Sequence, residues 1–398
     1  MIAPLRSIGI CLLIALFAAS AAQADRRDRA RRMFDRIVGV PPSEAQLDDM
    51  VARLGPGPGD PSPVQLLDAA QVALDDPDFY NVSLVNFAAP WTNQEQTVFV
   101  DLNDYTLTVI GMIRDGIPFD QVLTADLVYV AAPGLVSPGY EHTSNRHYEE
   151  IQAAGLDYSD PAQVVGVAQS SLAGSQLGTG ETAGVLTTRA AAEAFFSAGT
   201  NRRMFRFTSM NYLCRDLEAL KDTSRPADRI RQDVNRSPGG DSEIFHTQCL
   251  GCHAGMDALS GAFASYEWDA GAERMIYTPG QIQGKYAINT GVFPGGYATI
   301  DDSWVNFWRS GPNAELGWSE VEPGYGMGMK GLGAEIAHSR AFAECQVQKV
   351  FRHVCFRPPQ VQADADAVSA IADAFEAGAS YDLRQVFAEV AVHCTEGE

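Results

Sequence analysis

Apolar residues recur three and four positions apart through much of the first half of the chain. Met33, Phe34, Ile37 and Val38 of "DRRDRARRMFDRIVG" fall on one helical face. "PPSEAQLDDMVARLG" opens with prolines and a serine, as helix N-termini do, and stops at Gly55. "VQLLDAAQVALDDPDF" predicts a third amphipathic helix, with "GPGPGDPSP" (55–63) before it as a loop or hinge. "LNDYTLTVIGMIRDGIPFDQVLTADLVYVAAPG" predicts one more helix and then a short helix or strand. The small, polar run 169–184 is the best boundary, and "TTRAAAEAFFSAG" after it predicts another helix.

The periodicity fades between 277 and 328, where glycine, proline and aromatics dominate and Trp304, Trp308 and Trp318 cluster. This predicts irregular structure wrapped around something. "SRAFAECQVQKVFRHVCF", "ADADAVSAIADAFEAG" and "YDLRQVFAEVAVHC" restore the helical period at the C-terminus. The pattern as a whole predicts a mainly α chain in two parts, residues 25–180 and 181–398.

The first 24 residues stand outside this pattern. An apolar run from Ile8 to Ala19 follows Arg6 and leads to Ala22-Gln23-Ala24, the form of a secretory signal peptide cut before Asp25. No later stretch is long and apolar enough to span a membrane. The expected mature protein is therefore exported, periplasmic or secreted, without a transmembrane segment. The formal charge is -21. Such a surface repels a phosphate backbone, so nucleic acid is excluded as a partner, and it favours a basic protein surface.

Cysteine placement supplies the candidate chemistry. "FHTQCLGCHAGMD" contains Cys249, Cys252 and His253 in the spacing C-x-x-C-H. That spacing attaches c-type haem: two thiols reach the two vinyl groups on one side of the porphyrin, and the next residue supplies an axial imidazole. A thioredoxin-type C-x-x-C would need a βαβ setting, and a zinc site would need two further ligands at close spacing; neither surrounds residue 249. The single motif predicts one covalent haem c, with Cys249 and Cys252 as thioether residues and His253 as iron ligand.

Cys214, Cys345, Cys355 and Cys394 remain in the mature chain. An even number in an oxidising compartment predicts two disulfides, the alternative being four buried thiols. Cys345 and Cys355 share one predicted helix, about 15 Å apart along its axis, which is too far for a bridge. Three final helices running up, down and up favour Cys355–Cys394, which leaves Cys214–Cys345.

For the second axial position, "GYGMGMKGLG" offers Met327 and Met329 in a glycine-rich loop, and Met204 is a third candidate. His338 and His142 are the histidine alternatives, and an open iron is the remaining one. His246 and Met256 lie too close to the attachment site to cross the ring. Arg202, Arg203, Arg206 and Arg215 precede the motif, with Arg225, Arg229, Arg231 and Arg236 also upstream of it. One or two could pair with haem propionates, and most read as solvated or as paired with nearby Asp and Glu. The tryptophans read equally well as porphyrin-edge or core aromatics.

"AGVLTTRAAAEAFF", "NYLC" and "CLGCHAGMDALSGAFASYEWDAGAERM" resemble the haem-bearing modules of exported bacterial cytochrome-like proteins of unknown function, found in planctomycetes and proteobacteria. "MIRDGIPFDQVLTADLVYV" is similar to their N-terminal module and "SRAFAECQVQKVFRHVCFRPP" to their C-terminal segment. The resemblance implies an N-terminal helical domain followed by a cytochrome c-like helical haem domain with long irregular loops. It implies no substrate. The usual "MDPLG" is "MDALSG" in this chain, which removes a proline at the start of the next helix.

These features predict an electron carrier with a protein redox partner. A haem peroxidase or oxygenase with an open distal site is the alternative. It would draw on His142 and His147 in "YEHTSNRHYEE", which otherwise read as exposed loop histidines. A third reading makes the N-terminal part a binding module, but no nucleophile motif such as G-x-S-x-G supports it.

Overall fold

The computed structural model describes residues 24–56, 59–196 and 199–396. The expected signal segment, residues 1–24, lies outside the described residues except for its last position. The chain is mainly helical, and its strands form only three two-stranded antiparallel ladders among the described residues. No described helix is long and apolar enough to cross a membrane.

The chain divides into two compact units, and the division differs from a single cut near residue 180. Among the described residues, one unit joins the N-terminal part of the chain to its C-terminal part: residues from 24 to Leu84, Val347–Ile371 and 384–396. The other comprises Val85–Gln346 and Ala372–Leu383. Helical periodicity reports which face of a helix is buried, but not which distant helix buries it, so the joining of the two ends leaves no local trace.

In the first unit the predicted N-terminal helices form at 24–38, Glu44–Arg53 and Pro63–Leu74. Ser43 and Ser62 cap the latter two. Each hydroxyl accepts from the backbone N–H three residues on, while the Gln46 or Gln65 side chain returns to the cap N–H. Both orphan donors are thereby satisfied. Met33, Phe34, Ile37, Leu47, Met50, Leu66 and Leu74 are fully buried, as are Val350, Phe351, Phe387 and Val390 from the C-terminal helices. Phe79 and Phe387 meet edge to face at 5.1 Å. Asp364 receives both Arg357 and His393. Cys355 and Cys394 form a disulfide with Cα atoms 5.7 Å apart.

The second unit surrounds the helix Asp104–Arg114, nearly all of which is buried. The predicted short element after it is a 3-10 turn, Phe119–Leu123, followed by a strand, Val128–Ala131, paired with Val164–Val167. A hairpin of Tyr266–Asp269 with Arg274–Tyr277 was not indicated by the sequence pattern. The irregular segment 277–328 is largely as expected: 3-10 turns and one short ladder, Ser303–Val305 with Tyr325–Met327. Cys214 pairs with Cys345 across 5.2 Å between Cα atoms. Both expected disulfides are thus present.

The glycine-rich "GYGMGMKGLG" is not a loop. It closes a strand at Met327 and starts the helix Gly328–Ala337. Its glycines serve close packing: a Cβ on Gly333 would sit 2.2 Å from the carbonyl oxygen of Leu123. Met329 is buried in the core and Met327 is exposed.

The disulfides close chain separations of 39 and 131 residues. Loop entropy gives them about 4 and about 5 kcal/mol respectively. Alkylation and mass mapping of the exported protein should find both pairs. Cys355→Ser with Cys394→Ser should lower the urea midpoint by an amount equivalent to about 4 kcal/mol.

Candidate functional site

The motif lies in the second unit, where the backbone changes its winding. Asp241 caps a short turn by accepting from Glu243 N–H at 2.8 Å. A π-helical turn, Phe245–Cys249, then leads into the α-helix Leu250–Leu259. Such π-turns are frequent at functional sites because they re-aim the side chains that follow. Phe245 anchors the turn in a cluster with Ile230, Val234 and Ala254, against which Cys249 and Leu250 pack.

The inner face of the motif helix carries Ala254, Gly255, Ala258 and Leu259. The Trp308 ring occupies the space beside Gly255, where a Cβ would lie 2.1 Å from its indole nitrogen. Trp304 and Trp308 are core aromatics, and Trp318 donates to the carbonyls of Trp308 and Asn313 at 3.1 Å. Cys252 and His253 are half-buried on the other side of the helix, Cys249 closes the π-turn just before it, and Met256, one turn further on, is buried.

Cys249 and Cys252 are free and half-buried. The Cys252 thiol donates to the carbonyl of Leu217 at 3.5 Å. Burial pushes this thiol up from its ordinary value, against the pull of Lys221. His253 and Met256 line an open cleft with Gln94, Glu95, Phe207, Leu217 and the arginines 202, 203 and 206. The two thiols and the imidazole are strung along the π-turn and the helix. Among the described residues no three His, Cys, Asp or Glu side chains converge as a bare metal ion requires.

Behind His253 lies a charge network. The imidazole Nδ1 is 3.2 Å from Oδ1 of Asp257, which has no side-chain exposure. Arg202 grips that carboxylate with two bonds, Nε to Oδ1 at 2.7 Å and Nη2 to Oδ2 at 2.9 Å. Arg231 N–H adds a third contact at 3.2 Å. Arg202 also spans Asp233 at 2.7 and 2.9 Å. Burial alone would raise the Asp257 carboxyl, but Arg202, His253 and Arg231 hold it well below the usual carboxylate range. Burial would likewise lower Arg202, and its two carboxylates reverse that.

None of the sequence-selected candidates for a second axial ligand lines this cleft. Met204 is buried within the helix Arg202–Tyr212, and Met329 and Met327 are placed as described above. Both ring nitrogens of His338 are engaged, Nδ1 with Glu322 at 2.7 Å and Nε2 with Asp120 at 3.4 Å. His142 lines a separate, narrow pocket with Tyr140, Arg189 and Arg274. His147 is not an exposed loop residue. Its Nε2 accepts from Ala131 N–H at 3.1 Å and its Nδ1 donates to the Pro138 carbonyl at 3.0 Å, so its role is to tie strand to loop. The arginines are mostly paired as expected: Arg206 with Asp216, Arg225 with Asp222, and Arg231 with Ser260 and the Thr200 carbonyl.

Sequence reasoning did not single out Asp257, Gln94 or Glu95. Asp257 alone had a local signal, since it follows His253 by four positions on a predicted helical stretch. Gln94 and Glu95 reach the cleft only through the tertiary fold. No family model matches this chain, and neither a curated protein nor a solved structure is detectably similar to it.

Two consequences can be measured. Arg202→Leu leaves a buried carboxylate without its main partner, and urea denaturation should show a loss of about 3–5 kcal/mol. His338 is raised from 6.5 to about 9 by its bond to Asp120 and, against burial, by Glu322. Because the folded value is the higher one, this stabilisation is complete below about pH 6.5 and is lost as pH rises through about 9. The melting temperature should fall across that window, and His338→Gln should remove this part of the fall.

Proposed function

We propose that this chain is an exported c-type cytochrome-like protein that carries electrons between redox proteins. In this reading the second unit is a cytochrome c-like haem domain. Cys249 and Cys252 would hold one haem through thioethers, and His253 would ligate its iron. When bound, haem c supplies one-electron chemistry through its iron. The chain's own residues hold and orient it.

One observation carries the reading: Cys249 closes the π-turn and Cys252 and His253 follow on the next helix, both thiols outside the disulfides, and His253 lines an open cleft. Two thiols and an imidazole at this spacing would suit a planar group joined to the chain at two points. A convergent tetrahedral ion would need its ligands gathered at one point. Arg203 and Arg206 line the same cleft, and either would reach a propionate by exchanging its present partner, Asp216 in the case of Arg206. Phe207, Leu217 and Met256 offer apolar surface there. The two disulfides suit an oxidising compartment, in keeping with export. The likeness of the motif region to exported bacterial cytochrome-like proteins supports the same view.

A second reading, an enzyme with an open distal position, is favoured by a specific feature. The cleft beside His253 is lined by Gln94, Glu95 and arginines, while the methionines proposed as sixth ligands lie elsewhere.

The full chain made in a host competent for c-type maturation should be coloured. It should carry the mass of one haem through denaturation, and Cys249→Ala with Cys252→Ala should abolish both. Colourless protein of unmodified mass from that host would overturn the proposal. Carbon monoxide then separates the two readings: an unchanged ferrous spectrum supports the carrier, and ready binding supports the open-site enzyme.

A further inference from the structure

The side chain of Asp257 does more than fill the space behind the motif helix. Its carboxylate is the hydrogen-bond partner of His253 Nδ1, and among the described residues Nε2 has none. The carboxylate cannot swing away, because Arg202 holds both of its oxygens and Arg231 N–H holds one of them. Arg202 is itself fixed by Asp233. These partners come from the helix Arg202–Tyr212, from the segment around residue 231 and from the motif helix. An ionised carboxylate only accepts hydrogen bonds. With Arg202 bonded to both of its oxygens and no side-chain exposure, Asp257 is held as an acceptor facing His253. The geometry makes Nδ1 of His253 the donor to this carboxylate, which turns Nε2 toward the open side.

We infer that Asp257 is a positioning residue for His253: it fixes the imidazole as the Nδ1–H tautomer, and its charge makes Nε2 a more electron-rich ligand. The second half of this inference rests on the haem reading; the first half does not. Carboxylate–histidine pairs behind metal ligands fix ring orientation and raise ligand basicity. A more basic ligand favours the oxidised iron, so Asp257 lowers the reduction potential of the bound group. Arg202 limits this effect by sharing the carboxylate's charge, so it sets both the position and the strength of the donor.

Two measurements on the full chain test the inference. The first uses unmutated apoprotein made without haem maturation. Long-range proton–nitrogen correlation of the imidazoles at pH 8, with His253→Ala to assign the signal, should show His253 as the Nδ1–H tautomer. A dominant Nε2–H tautomer, the form free imidazole side chains prefer, would overturn the proposal. The second compares haem-loaded protein with its Asp257→Asn and Asp257→Glu variants by redox titration. Asparagine keeps an acceptor but removes the charge. Its midpoint potential should rise above the parent's, and glutamate should restore part of the difference. A haem-loaded Asp257→Asn protein with the parent's potential would overturn the electronic half. If Asp257→Asn does not mature, the tautomer of the unmutated chain still decides the positioning role. If no haem attaches to the parent, the functional reading fails, and the nitrogen spectrum alone shows whether Asp257 orients His253.

Discussion

A fully buried carboxylate is costly unless cations and hydrogen bonds surround it, and Asp257 is such a group. The second unit answers that cost with Arg202, the Arg231 N–H and the His253 ring. Arg202 adds Asp233 to the same cluster. Three stretches of chain are thereby held in register around one point. The orientation of His253 is a consequence, because its Nδ1 is drawn toward the cluster. Packing on the opposite side completes the constraint: Trp308 lies against Gly255, so the motif helix cannot roll toward the core. One side of the helix is set by charge and the other by steric contact.

Cysteine use follows a similar economy. Four of the six cysteines beyond residue 24 are paired, one bridge within each unit. The bridge Cys355–Cys394 ties two C-terminal helical segments of the unit assembled from both chain ends. The bridge Cys214–Cys345 ties the end of the helix Arg202–Tyr212, which carries Arg202, to a distant part of the second unit. The two thiols left over lie three residues apart, Cys249 at the end of the π-turn and Cys252 on the motif helix. In an oxidising compartment free thiols are vulnerable, and thioether formation would remove that vulnerability.

Much of the helical architecture was legible because capping and periodicity are local. Ser43 with Gln46, and Ser62 with Gln65, announce their helices within four residues. The C-terminal helices and the disulfide pairing followed from rise per residue and helix order. The failures share a cause. "GYGMGMKGLG" reads as a loop because glycine weakens helix propensity, yet the backbone of Leu123 passes so close that only glycine fits at 333. His147 reads as a loop residue because the segment is polar, and its two backbone partners become visible only once the strand Val128–Ala131 is in place. Nothing local could show that the methionines and His338 lie away from the cleft.

By itself the sequence determined the chemistry on offer: two thiols and an imidazole at C-x-x-C-H, four further cysteines for two bridges, and a strongly acidic, mainly helical chain. These are properties of residue type and short spacing, which the covalent chain alone preserves. The tertiary structure decided what surrounds that chemistry. It paired the two chain ends in one unit, and it buried Asp257 beside His253 under Arg202. It opened the cleft to Gln94, Glu95 and the arginines, and it placed the proposed distal ligands elsewhere. Burial and long-range pairing depend on which distant segments meet, and no spacing along the chain encodes that meeting.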